Sequence, residues 1–250
     1  MDKTEYLSNI PSNVIQTIYR CLSEAVGEDY QEAESHLNLE THISKPFLIW
    51  DLTYRNLINA FSDGNVLYST KKQGMWEIML LYDKNSKLLF SFMKDTRFRT
   101  IRQSKRGKQP QYIRAVLTLN AKLQAKVKQQ RMFDDNLADT SEITLLLDNL
   151  CMNFTEQVLN DAQHHVLIVF STSFGRITSL QANILDRNLD VVEERDWLDT
   201  TKPVMSNEVE TTDKGSVANN QPILTDKAKR RLEQKELVEL KSTEKDAVLS

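Results

Sequence analysis

The chain is poor in glycine, proline and cysteine, and each shortage removes a class of structure. Six Gly and five Pro among 250 residues are too few for a loop-rich β-sandwich. The glycines never cluster, whereas a phosphate-binding P-loop needs several at the start of a helix. Cys21 and Cys151 stand alone, without disulfide or metal-ligand spacing. They are expected to be reduced core residues of a cytosolic protein.

Long apolar runs and conventional catalytic motifs are also absent from the sequence. The longest candidate run, residues 166–170, is strand-sized, whereas a membrane helix needs about 18 residues. The N-terminus is polar and lacks the apolar region of a signal peptide. The four histidines have no zinc-site spacing, and residues 171–175 hold only one of the two glycines of a nucleophile elbow. The sequence therefore predicts a cytoplasmic protein without a metal or cofactor, and it favours a non-enzymatic role.

Acidic residues are missing from the middle of the chain. Residues 96–133 contain no Asp or Glu, although the whole chain carries a net charge of −3. Such a local excess of positive charge attracts polyanions before any detailed geometry is settled. These residues are called the basic segment below. Its eleven cations are Arg97, Arg99, Arg102, Lys105, Arg106, Lys108, Arg114, Lys122, Lys126, Lys128 and Arg131.

Two helices are predicted in the first quarter of the chain. Residues 11–27 place their apolar side chains at helical spacing on one face, and Gly27 ends the pattern. The acidic residues 24–34 predict a solvated face followed by a loose connector. Residues 46–61 form the second helix, with Asp51 as its candidate N-cap. Its aromatic stripe is typical of a core-facing side rather than of a cofactor site: Trp50, Tyr54, Leu57 and Phe61.

Two groups of short strands are predicted from apolar residues that alternate with polar ones. Together with the helices, they indicate an α+β fold in which helices pack on a mostly antiparallel sheet built from both groups. A single domain, residues 1–202, would contain this sheet. The predicted strands cover residues 66–70, 76–82, 88–92, 166–170, 177–184 and 189–192.

The basic segment is predicted to begin as a loop and to continue as a helix. Gly107 and Pro110 argue against regular structure in residues 95–110. Residues 111–130 show helical apolar spacing, and their basic side chains centre on the opposite face. Solvated helices usually mix both signs, because Glu–Lys pairs one turn apart stabilise them. A purely basic face therefore favours contact with phosphates.

The last fifth of the chain differs in composition from the rest. Residues 205–250 are rich in Glu, Lys, Thr and Asn and contain no aromatic residue. Such a stretch cannot bury enough apolar area to offset the entropy of ordering it. Residues 203–250 are therefore predicted to be a disordered charged tail, in which residues 226–241 can form a short helix that docks on a protein partner.

These observations predict a nucleic-acid-binding protein that contacts phosphates and catalyses no reaction. Phe98 and Tyr112 flank the cations and could stack on exposed bases, although Phe98 could equally belong to the core. Without a helix-turn-helix or zinc-finger pattern, base-specific readout is not supported, and DNA and RNA both remain open. The predicted phosphate contacts are Arg97, Arg99, Arg102, Lys105, Arg106 and Lys108, extended by Arg114, Lys122 and Lys126.

Two alternative functions remain open. The basic surface could instead meet an acidic protein partner or the chain's own acidic N-terminal third, with the tail as a tether. Alternatively, the chain could be a degenerate restriction-enzyme-like nuclease, whose hairpin strand ends in Glu-x-Lys. Here Lys94 occupies the lysine position, whereas Phe92 replaces the metal-binding acid. Glu77 and Asp83 are the remaining acids of that hairpin, and Asp83 is favoured as a turn residue.

Four local motifs resemble a family of bacterial proteins, mainly from Gram-positive genomes, that has no assigned activity. They are the turn at residues 82–87, Arg-Phe-Arg at 97–99, the helix start at 112–120 and the strand turn at 170–179. The resemblance covers roughly residues 10 to 200 and leaves out the tail. It implies no activity, and its setting suggests mobile elements or phage defence.

Overall fold

A six-stranded sheet with helices on both faces organises the protein. The computed structural model describes residues 5–37, 41–104, 110–123 and 140–201, which belong to the compact unit Met1–Val204. The strands are β1 (Val66–Gln73), β2 (Trp76–Asp83), β3 (Leu88–Lys94), β4 (His164–Ser173), β5 (Arg176–Leu185) and β6 (Val191–Asp196). The α-helices are α1 (Ser12–Val26), α2 (Glu28–Leu37), α3 (Lys45–Ala60), α4 (Asp95–Gln103), α5 (Gln111–Val116), α6 (Thr140–Leu150), α7 (Glu156–Asp161) and α8 (Leu198–Thr201).

The strands follow one another across the sheet in chain order, β1 to β6. Every neighbouring pair is antiparallel except β3 and β4, which run parallel. A parallel pair needs a long crossover rather than a tight turn, and residues 95–163 provide it. The α+β fold with a mostly antiparallel sheet built from two strand groups is thereby confirmed.

The two faces of the sheet bury different side chains of the same strands. In β4, Val166 and Ile168 pack with α1 and α3 on the first face. Their neighbours Leu167 and Val169 pack with α4 and α5 on the second face. Alternate residues of a strand point to opposite faces, so a sheet covered on both sides needs an apolar run rather than an alternating one. Residues 166–170 are such a run.

Strand β1 is longer than the sequence predicts. The predicted strand ends at Thr70, before Lys71, Lys72 and Gly74, but β1 continues through both lysines to Gln73 and pairs with β2 along its whole length. Lysine suits an edge strand because its charge discourages pairing with other chains. Gly74, with φ of 64°, makes the turn after the strand.

Several helix predictions are wrong in their local detail. The acidic connector after α1 is the helix α2, whose buried Asp29 pairs with Arg55 at 3.2 Å. Asp51 lies inside α3, which Ser44 precedes as the N-cap residue. The predicted helix 111–130 is the short α5, followed by a 3-10 turn, Leu117–Asn120. Residues 124–139 lie outside the described part of the chain.

The side chain of Asn120 joins this 3-10 turn to two strands. Its Nδ2 donates to the carbonyl oxygens of His165 and Leu185 at 2.9 and 2.8 Å, and its Oδ1 accepts from the His165 N–H at 2.8 Å. Asn120 is fully buried. Three hydrogen bonds therefore fix the end of the α5 region against β4 and β5.

The predicted tail, residues 203–250 with its helix at 226–241, lies outside the described residues. Within the described ranges, no helix combines the length and apolarity needed to cross a membrane.

The start of the chain is held by the last strand. The Glu193 carboxylate of β6 accepts hydrogen bonds from the N–H groups of Tyr6 and Leu7 at 2.9 and 3.0 Å. Arg195 donates to the Leu7 carbonyl oxygen at 3.2 Å. Leu7, fully buried, belongs to the same core as Trp197. The two ends of the described chain therefore close one core.

Replacing Glu193 by alanine is expected to lower the free energy of unfolding by about 2 kcal/mol, because hydrogen bonds to a charged group contribute about 1.5–3 kcal/mol. The matched control is Glu194→Ala at the neighbouring exposed position, expected to change stability by less than about 0.5 kcal/mol. Urea unfolding of both variants measures the difference. Equal midpoints would show that the Glu193 contacts contribute nothing to stability.

Candidate functional site

The first part of the basic segment is helical rather than a loop. Residues 95–103 form α4, with Asp95 in its first turn, where a carboxylate is favourable. Its apolar side chains, Phe98 and Ile101, are buried in the second-face core. Two buried residues at a spacing of three anchor the helix, a signal too short to stand out in a segment with Gly107 and Pro110. Phe98 is therefore a core residue and is not available to stack on bases.

The arginines of α4 lie at the surface of the protein. Arg97, Arg99 and Arg102 are all exposed. Arg99 pairs with Asp95 one turn earlier at 2.9 Å, and the Arg102 guanidinium lies 5.6 Å from the centroid of the Phe98 ring. Exposed pairs of this kind are weak, so α4 presents a cationic outer face.

The rest of the predicted binding set is distributed differently. Tyr112 and Arg114 lie half-buried on α5, and Lys122 is exposed in the turn beyond it. Lys105, Arg106, Lys108 and Lys126 fall outside the described residues, as do Lys128 and Arg131.

The sheet itself opens next to α4. β2 and β3 pair only between Leu80↔Ser91 and Asp83↔Leu88, although β2 begins at Trp76 and β3 ends at Lys94. The first residues of β2 are therefore paired with β1 alone, and the last residues of β3 with β4 alone. The space between the unpaired strand ends is a cavity of about 620 Å³, called the cleft below.

Aromatic side chains from both sides of the sheet line the cleft. α3 lies on the first face and α5 on the second, and each contributes to the walls. Trp76 is substantially exposed and stacks on Phe47 with ring centroids 4.4 Å apart and planes 13° from parallel. The aromatic lining consists of Trp50, Tyr54, Trp76, Phe92 and Tyr112.

The cleft is also cationic. Lys94 and Arg97 line it, against one carboxylate, Glu77. Burial, and secondarily the neighbouring Lys45 ammonium, lowers the pKa of Lys94 below its ordinary value. Within the residues that the structure describes, neither Lys94 nor Arg97 forms an ion pair with a carboxylate. A partly desolvated cation without a counter-charge favours the binding of an anion.

The two tyrosines of the cleft remain neutral donors. Tyr54 donates its hydroxyl hydrogen to the Glu77 carbonyl oxygen at 3.1 Å, and burial raises its pKa. Burial raises the pKa of Tyr112 to about 12, although Arg97 acts in the opposite direction. Neither hydroxyl ionises near neutral pH, so both rings offer uncharged faces for stacking.

The residues of the nuclease hypothesis are only partly brought together. Glu77 and Lys94 both line the cleft. Asp83 lies at the opposite end of β2, fully buried, and accepts hydrogen bonds from the Ser86 N–H and hydroxyl at 2.9 and 2.6 Å. It is the turn residue that the sequence favoured. No group of three His, Cys, Asp or Glu side chains suited to a metal occurs among the described residues.

A buried Ser–His pair elsewhere has no access to substrate. The Ser91 hydroxyl lies 2.8 Å from His165 Nε2, but burial lowers the pKa of His165 to about 3, and both side chains are buried. Cys21 and Cys151 are buried as predicted, and burial raises the pKa of each thiol. These groups belong to the core.

Sequence reasoning missed the cleft because its walls come from distant segments. The helical pattern predicts Trp50 and Tyr54 as core residues; both do pack against the core, but they are only half-buried and also line the cleft. Arg97 and Tyr112 were predicted to act together, and they do line the same cavity. Trp76 begins the predicted strand 76–82, and the strand pattern does not mark it as a site residue. Its exposure depends on where β2 and β3 stop pairing, which no local pattern indicates.

Comparison with known proteins gives a family but no function. The model of a family of unknown function, DUF5986, matches residues 7–240. This match extends past the span of about 10 to 200 that the sequence resemblance indicated, into the predicted tail. No curated protein and no solved structure matches the chain.

Proposed function

The chain belongs to this family of unknown function, and we propose that it binds single-stranded nucleic acid without cleaving it. The phosphates would contact the cationic outer face of α4, and the bases would meet the aromatic walls of the cleft. Proteins that bind single strands without sequence preference combine these two features, a basic track for the backbone and aromatic rings for the bases.

The position of Arg97 carries the proposal. This residue is one of the three exposed arginines of α4, and it also lines the cleft. A strand that pairs its phosphates with Arg99 and Arg102 would therefore pass the cleft at Arg97. The attraction to phosphates is independent of sequence, so the proposal requires no base-specific contact.

The second group of predicted contacts would extend this track. Lys122 is exposed beyond α5, whose Tyr112 lines the cleft. Lys105, Arg106, Lys108 and Lys126 remain part of the proposal on the sequence alone.

Replacing Arg97, Arg99 and Arg102 together by alanine is expected to weaken binding to a labelled single-stranded oligonucleotide at least tenfold at low salt. Each lost phosphate contact should also reduce the slope of log affinity against log salt by about 0.7. Fluorescence anisotropy across a salt series measures both quantities, with DNA and with RNA.

The matched control removes three exposed cations from other surfaces, Arg20, Lys84 and Arg187, with the same change in net charge. Its affinity and salt slope should stay close to wild type. If both variants lost the same affinity, the effect would come from overall charge rather than from the position of the α4 arginines. No binding of wild type to any nucleic acid at low salt would overturn the proposal in favour of an acidic protein partner, which the tail could also engage.

The same titrations distinguish binding from cleavage. Because Glu77 and Lys94 share the cleft, each sample is also run on a denaturing gel with and without Mg²⁺. Intact oligonucleotide in both lanes is the expected result. Cleavage that requires Mg²⁺ and is lost in Glu77→Ala would replace the binding function by the nuclease function.

The biological setting proposed with this function is bacterial and cytoplasmic, in mobile-element or phage-defence biology, as the motif resemblance suggests. A protein that binds exposed single strands would fit a role at invading or replicating nucleic acid. Expression of the wild type in a bacterial host should then change the plating efficiency of some phages, and the triple alanine variant should not.

A further inference from the structure

We infer that the cleft holds one unpaired nucleotide, with its base between the aromatic walls and its phosphate at Lys94 and Arg97. This inference deepens the proposed function. The binding of a nucleotide within a nucleic-acid strand rests on that function, whereas the binding of a free mononucleotide does not. Its basis is the juxtaposition of aromatic rings, amide side chains and unpaired cations around the gap between β2 and β3.

The size and walls of the cleft suit a base. About 620 Å³ lies within the range of cavities that bind small molecules, about 300–1,000 Å³. A base would slide between Trp76 at the rim and the deeper rings of Trp50 and Tyr112. Trp76 is already stacked on Phe47 at 4.4 Å, so the orientation of its ring is restricted before a ligand arrives. Fixed rings reduce the entropy lost on stacking.

Polar side chains in the lining can read the edge of a base. Gln73 and Gln111 line the cleft from β1 and α5, and each amide offers both a donor and an acceptor. Thr96 adds a hydroxyl at the start of α4. These groups give a base hydrogen-bond partners to replace those lost with water.

The phosphate position follows from the cations. Lys94 is half-buried and lacks a carboxylate partner among the described residues, while Arg97, in the first turn of α4, also lines the cleft. Lys45 approaches from α3 closely enough to lower the pKa of Lys94. A phosphate at this point relieves the repulsion between the two lysines, whereas a neutral nucleoside does not.

A paired base cannot enter this site. Among the aromatic residues of the lining, Phe92 is buried and Trp50 and Tyr54 are half-buried, whereas Trp76 is exposed. Reaching the less exposed rings requires the base to leave its stack, which costs least when the strand is already single. The cleft therefore favours single strands and free nucleotides over duplexes.

The test uses the full-length protein and intrinsic tryptophan fluorescence, since two of the three tryptophans line the cleft. The probes are the four ribonucleoside monophosphates, the matching nucleosides and inorganic phosphate. At least one monophosphate is expected to bind at least tenfold more tightly than its nucleoside or phosphate alone. Trp76→Ala should weaken that affinity about tenfold, the scale measured for base–aromatic stacking.

The matched control is Phe174→Ala, which removes a fully exposed ring at the β4–β5 turn. It should bind as wild type does. A second variant, Gln111→Ala, changes an exposed side chain of the lining and should alter the ranking of the four monophosphates. Circular dichroism confirms that each variant is folded.

The outcomes separate the two proposals. Oligonucleotide binding that is unaffected by Trp76→Ala, with no monophosphate binding, overturns the cleft inference and leaves the α4 function standing. Monophosphate binding without oligonucleotide binding overturns the nucleic-acid function and supports the cleft as a nucleotide site. Phosphate binding as tightly as the monophosphates would also overturn the inference, because the base would then contribute nothing.

Discussion

Replacing Asn120 by aspartate is expected to lower the free energy of unfolding by about 3–5 kcal/mol. The Asn120 amide donates to the carbonyl oxygens of His165 and Leu185. A carboxylate in its place would face two carbonyl oxygens with a buried negative charge. A buried charge without a compensating partner costs a protein about 3–5 kcal/mol of stability. Chemical denaturation gives the change directly, provided that the variant still folds.

Asn120→Ala and an exposed control keep this prediction testable. Alanine removes the same three hydrogen bonds without adding charge and should cost less than aspartate does. Asn85→Ala, at an exposed position in the β2–β3 turn, should leave stability within about 0.5 kcal/mol of wild type. An aspartate variant as stable as Asn85→Ala would contradict the role of Asn120. Asn120 fixes the end of the α5 region, and Tyr112 of α5 lines the cleft. A variant at Asn120 that destabilises this region should therefore also bind nucleotides more weakly.

Replacing Lys94 by methionine is expected to change stability and affinity in opposite directions. Methionine keeps much of the apolar stem and removes a half-buried charge, so the free energy of unfolding should rise by about 1 kcal/mol. The same change removes the cation proposed to meet the phosphate. Losing a partner of a desolvated charge pair typically costs 2–5 kcal/mol, so affinity for the preferred monophosphate should fall about 30-fold or more.

The pH dependence of the Lys94→Met effect provides an independent check. Burial lowers the pKa of Lys94 in the folded protein, whereas an unfolded lysine titrates at about 10.4. Between these two values the unfolded state binds more protons, so this group makes wild-type stability rise with pH. The stability advantage of Lys94→Met should therefore be largest near neutral pH and shrink toward pH 10. An advantage that is constant with pH would mean that Lys94 is fully solvated.

The sheet was predictable because its strands carry local patterns. The hairpin of β2 and β3 alternates apolar side chains around a polar turn, and β4 is a short apolar run. Each pattern reflects which faces are buried, and burial is a local demand on a strand. The parallel pairing of β3 with β4 is different. It joins strands separated by a crossover of about 70 residues, so no local sequence pattern predicts it.

The helices of the basic segment show where local rules fail. α4 has only nine residues, and most of them are polar or charged. Helix propensity and apolar periodicity therefore could not identify it. Its formation depends on Phe98 and Ile101 finding the second-face core, a tertiary contact that overrides weak local preference. For α5 the prediction is too long rather than too short. The apolar spacing of residues 111–130 continues beyond Val116, where the α-helix ends.

The candidate site was predictable as a charge but not as a shape. The absence of acids in residues 96–133 identified Arg97, Arg99 and Arg102 from the sequence alone. The cleft depends on β2 and β3 ceasing to pair at Leu80↔Ser91. That geometry is a property of the assembled sheet, and so Trp76, Lys94 and Gln111 acquire a common environment only in three dimensions.

The contact of Glu193 with Tyr6 and Leu7 also means that the core cannot be completed until late in synthesis of the chain. Leu7 and Glu193 are separated by 186 positions. At about 5–20 residues per second, roughly 10–40 s pass between their additions to the nascent chain. For most of that interval the apolar face of α1 lacks β5 and Trp197, which complete its core. A chain that ended before β5 would leave exposed the apolar residues of α1 that β5 and Trp197 cover, and such exposed surface is prone to aggregation.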